Sequence, residues 1–128
     1  MRFWGIVRVL ALLAFLGFVI VGLVFAFSPT TFPGTGVDSD AALWHSLALA
    51  FMATVSILAL LVAVNPERYW AMLLPLGVGK LVSSVSSMAW YARYPTVGAL
   101  KLNSMVDGAI ALVSLALYVV ALNKSRRC

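Results

Sequence analysis

Four long apolar runs govern what this chain can become: residues 4–27, 41–64, 70–91 and 103–122. An α-helix rises ~1.5 Å per residue, so about 20 apolar residues cross a hydrocarbon layer ~30 Å thick. Each run has that length. Residues 1–128 are accordingly expected to form one transmembrane domain, an all-α integral membrane protein folded as a four-helix transmembrane bundle. Composition points the same way. Of the 128 residues, 63% are hydrophobic and 10% charged, whereas a soluble domain carries about 45–50% and about 25%. A core this small cannot bury the excess, which leaves the bilayer as solvent for most of the surface. The connectors "SPTTFPGTGVDSD", "NPER" and "RYPTVGALKL" carry turn chemistry. The first run has a basic start, Arg2 and Arg8, but it exceeds the roughly 7–15 apolar residues of a signal peptide. A cut after Ser28 would also place Pro29 behind the scissile bond, so this run is expected to be a retained helix.

Direction follows from the basic residues. With the N-terminus in the cytoplasm, that side collects Arg2, Arg8, Arg68, Lys124, Arg126 and Arg127; the far side holds Arg93 and Lys101, with Asp38 and Asp40. Positive charge concentrates on the cytoplasmic side of membrane proteins, so both termini are expected there. Trp4 and Trp70 then fall at the inner boundary, Trp44 and Trp90 at the outer one, where amphipathic rings prefer to lie. The expected location is a plasma membrane of the bacterial inner-membrane type, crossed several times. The net charge of +5 does not read as a nucleic-acid footprint, because the basic residues are scattered singly at segment ends. The one cysteine, Cys128, supports neither an internal disulfide nor a redox pair. It is also not the C-a-a-X signal for prenylation. Asn123-Lys124-Ser125 matches the glycosylation pattern but would face the cytoplasm.

Inside the spans, the polar residues are patterned. At 100° per residue, Lys80, Ser83, Ser84, Ser87 and Tyr91 share one arc of the third helix, while Leu81, Val82, Val85 and Ser86 lie off it. Asn103, Ser104, Asp107, Ala111, Ser114 and Tyr118 share a face of the fourth. His45, Ala48, Met52, Ser56, Ala59 and Ala63 form a stripe on the second. Polar groups in hydrocarbon need partners, and small residues let backbones approach, so the three faces are expected to converge. A charged lysine at mid-span costs about 2.5–3.5 kcal/mol. With Pro75, Gly77 and Gly79 nearby, the third span is the weakest and should lean on its neighbours. Counting heights from span midpoints puts Asp107, His45 and Ser87 together, and separates Lys80 from Asp107 by about 10 Å. The two side chains also lean apart, each toward its own helix N-terminus. On that count Asp107 pairs with His45, while Lys80 turns to Ser84, Ser114, Ser56, Tyr118, water or a ligand.

Three function classes follow. The residue inventory favours a small non-enzymatic membrane protein, either an accessory or structural subunit of a larger membrane complex or a binder of a lipid, quinone or pigment in its polar interior. A mid-membrane ionisable group also fits a proton-coupled carrier using Lys80 and Asp107. An intramembrane enzyme has the thinnest basis, with one histidine, one cysteine, no G-x-S-x-G and fewer ligands than a metal site needs. No catalytic residue, metal ligand or particular cofactor is assigned. The candidates for ligand binding or proton relay are Lys80, Asp107, His45, Ser83, Ser84, Ser87, Ser114 and Tyr91. The expected partners are the lipid bilayer and other membrane subunits or a second copy, and not nucleic acid.

Overall fold

The computed structural model describes residues 2–27 and 39–127, and the side chains of all these except Phe25, residues 39–43 and His45. Every regular element among them is helical: α1 (Phe3–Phe27), α2 (Ser39–Val64), a single turn α3 (Pro66–Tyr69), α4 (Leu73–Arg93) and α5 (Gly98–Arg126). A 3₁₀ turn, Trp70–Met72, joins α3 to α4. Four stretches are long and apolar enough to cross a membrane: Phe3–Val24, Ser46–Val64, Pro66–Arg93 and Gly98–Arg126. The third has the lowest mean hydropathy, 1.3, against 2.7, 2.7 and 2.2 for the others in chain order.

The helices group into two compact units, Met1–Pro66 and Glu67–Cys128. In the first, α1 and α2 run antiparallel. Gly22 lies against Met52, and Arg8 near the start of α1 donates from Nη2 to the Val64 carbonyl at the end of α2, at 3.5 Å. Buried positions recur at helical spacing, Val7, Ala11 and Phe18 on α1 and Met52, Val55, Ser56, Ala59, Val62 and Ala63 on α2.

In the second unit α4 and α5 form a tight antiparallel hairpin. Pro95 explains where α4 stops. A residue before proline is pushed out of the helical region, and Tyr94 indeed takes φ −128°, ψ 69° while its N–H closes on the Trp90 carbonyl. Only residues 94–97 connect the helices. The segment 98–102, expected as connector, is the first turn and more of α5, whose Ala, Leu and Lys are strong helix formers. At the other end "NPER" is not a plain turn. Pro66 opens a helical turn, a position that suits its fixed φ and missing N–H. Pro75 likewise sits in the first turn of α4, where proline is tolerated. The hairpin's open end is closed by Trp70 packed on Tyr118, ring centroids 5.6 Å apart, and its turn end by Trp90 stacked on Tyr94 at 5.9 Å.

The distribution of polarity is inverted relative to a water-soluble protein. Lys80, Ser87, Ser104, Asp107 and Ser114 are buried, whereas Val82 and Val85 are each 63% exposed and Leu112 70%. Leu13 and Ile20 of α1 are 61% and 62% exposed. Such a surface suits surroundings that are themselves apolar.

Candidate functional site: a polar seam between two helices

Polar residues of the second unit, from buried Lys80 and Asp107 to half-buried Ser84 and exposed Asn103, form one seam along the α4–α5 contact. Nearest the turn, Asn103 Nδ2 donates to Ser87 Oγ at 2.7 Å. One layer on, the helices exchange a reciprocal pair of bonds: Ser84 Oγ donates to the Ser104 carbonyl at 2.7 Å, and Ser104 Oγ to the Ser84 carbonyl at 2.9 Å. Deeper still, Asp107 accepts on both oxygens, from Ser83 Oγ at 2.5 Å and from Lys80 Nζ at 3.1 Å. The Lys80 and Asp107 side chains are only 4% and 6% exposed. Hydrogen bonds to ionised groups are stronger than neutral ones, so this last layer is the firmest.

Two glycines make that approach possible. A Cβ on Gly108 would lie 2.9 Å from Ser84 Oγ, and one on Gly77 would lie 2.8 Å from Leu115 Cγ. Both are closer than real side chains pack. Serine hydroxyls can reach the facing helix's carbonyls only because the backbones come together at these points, as small residues allow in membrane helices. Among the described residues, no buried side-chain nitrogen or oxygen is left without a hydrogen-bond partner.

Lys80, Ser83, Ser84, Ser87 and Asp107 are thus brought together in the arrangement their helical spacing implies. Ser114 is buried on the same face of α5, beside Gly77, two turns beyond Asp107. Tyr91, half-buried, continues the α4 stripe one turn past Ser87. The side chain of His45 lies outside the described residues, and with it the expected His45–Asp107 contact. Ser56, one of the partners considered for Lys80, donates to its own helix instead, to the Met52 carbonyl at 2.7 Å.

One expectation is overturned. Lys80 and Asp107 form a direct ion pair, which height counting from span midpoints argued against. The midpoints placed Asp107 level with Ser87; the four-residue turn instead sets Ser87 against Asn103 and Ser83 against Asp107. That is a shift of one helical turn, about 6 Å. It cuts the height between Lys80 and Asp107 to about 4.5 Å, which the lysine's four-carbon stem bridges. Asn103 and Ser104 belong to the seam although only their stripe, and not their role, was read from the sequence. Gly108 was missed, yet Ser104 and Gly108 carry the small-x-x-x-small spacing of close helix packing.

No family model, curated protein or solved structure matches this chain, so its functional reading rests on its own residues.

Proposed function

We propose that this chain is a small non-enzymatic multi-pass membrane protein, both termini cytoplasmic, that serves as an accessory or structural subunit of a larger membrane assembly. The observation that carries this reading is the closed seam. A ligand site in the polar interior would need donors and acceptors turned toward the ligand. Here both Asp107 oxygens and the hydroxyls of Ser84 and Ser104 are engaged between the two helices. That favours a fastener over a lipid, quinone or pigment site. With the seam turned inward, the outward surface of the hairpin is largely Val and Leu, suited to lipid and to neighbouring spans. Trp70 and Trp90 lie about 30 Å apart along the hairpin, the separation of the two headgroup levels where indoles settle.

The test is recovery of the tagged protein in mild detergent after brief in-cell crosslinking, with identification of what accompanies it. Defined membrane partners in fixed ratio support the reading; a monomer that never acquires a partner overturns it.

The buried ion pair favours one second reading, a proton-coupled carrier. In proteoliposomes such a carrier gives a flux driven by a pH gradient that Lys80→Met and Asp107→Asn each abolish. Absence of flux under every gradient removes this reading.

A further inference from the structure

We infer that α4 cannot hold its place in a membrane until α5 has been made, and that the two helices insert as one hairpin with Asp107 as the residue that admits Lys80. The inference rests on the membrane reading above but does not follow from it, since four spans can also insert one after another.

Three observations carry it. First, the stretch containing α4 is the least apolar of the four, with a mean hydropathy of 1.3. It also contains Lys80, whose charge is strongly disfavoured at mid-span on a lone helix. Second, four of its polar side chains meet partners on α5. Lys80 and Ser83 meet Asp107, Ser84 meets Ser104, and Ser87 meets Asn103. A solitary α4 would expose all four to lipid. Third, residues 94–97 reach at most about 14 Å even when extended, so α5 is delivered against α4 as soon as it forms. The close approaches at Gly77 and Gly108 then lock the register in which ammonium and carboxylate meet. Because α4 precedes α5 in the chain, the span around Lys80 waits on the cytoplasmic side or at the interface until Asp107 emerges.

The test reads topology in the full chain. Cys128→Ser removes the one native thiol, and Thr96→Cys places a reporter in the turn between α4 and α5. After a short pulse of synthesis, cells are treated with a membrane-impermeant maleimide from outside. The reporter chain is labelled. Asp107→Leu loses most of that label, because the carboxylate that meets the Lys80 ammonium is gone, and Lys80→Leu/Asp107→Leu regains it. The double variant guards against mere failure to fold. Equal labelling of Asp107→Leu and the reporter chain, or no recovery in the double variant, overturns the inference while leaving the membrane reading intact. A reporter chain found in the soluble fraction, or labelled only from the cytoplasmic side, overturns the topology itself and the inference with it.

Discussion

A carboxylate buried between helices is tolerated when both oxygens are met, and Asp107 has Lys80 on one and Ser83 on the other. Removing one member of a buried ion pair strands the other, typically at about 3–5 kcal/mol. Asp107→Ala is therefore expected to destabilise the second unit by that amount, as read from unfolding of the purified protein in mixed micelles. Replacing both, as Lys80→Met/Asp107→Leu, restores most of the loss, since apolar residues of similar volume can stand in for a buried pair. Ser83→Ala costs less, about 1.5–3 kcal/mol, the range of a hydrogen bond to an ionised group. At Gly108 the prediction concerns space. Gly108→Ala sets a methyl 2.9 Å from Ser84 Oγ, disturbing the Ser84–Ser104 exchange at a cost of about 1–3 kcal/mol. Ser84→Ala removes the obstructing oxygen, so the double variant should be more stable than the sum of the singles. The faces of Lys80, Ser83, Ser84 and Ser87 were legible from helical spacing alone. The ion pair was not, because facing residues on two helices are fixed by register, and register is not a property of either helix.

At the level of elements, that register is set by a turn. Pro95 ends α4, and Gly98 already belongs to α5. The boundaries drawn from apolarity fell short because a helix does not end where hydrophobicity ends; Gly98–Leu102 and residues 123–126 are helical though less apolar. Paired cysteines test the alignment directly. In a Cys128→Ser background, Ser84→Cys/Ser104→Cys should form a disulfide readily, since the two hydroxyl oxygens it replaces are 3.4 Å apart. Ser87→Cys/Asp107→Cys, level with one another only in the midpoint alignment, should not. The reverse result, seen as a mobility shift on non-reducing gels, would refute the register. The existence and order of the four long helices were legible throughout, since length and uninterrupted apolarity leave few alternatives. The division into hairpins was not, because it depends on which faces pair.

For the whole molecule, the exposed valines and leucines decide the surroundings. A protein with Val82, Val85 and Leu112 facing outward should stay in the membrane pellet through an alkaline carbonate wash and be released by detergent. Release by carbonate alone would contradict the proposed insertion. The length of α5 has a consequence of its own. Its 29 residues extend about 43 Å, well beyond ~30 Å of acyl chain. Lys101 and Lys124 near its ends stand about 35 Å apart. In a thin bilayer this rod has to slant to keep the apolar stretch between the two ammonium groups out of water. In a thicker one it can stand upright, so lipid chain length would set its slant and bias the protein toward membranes whose thickness matches that span.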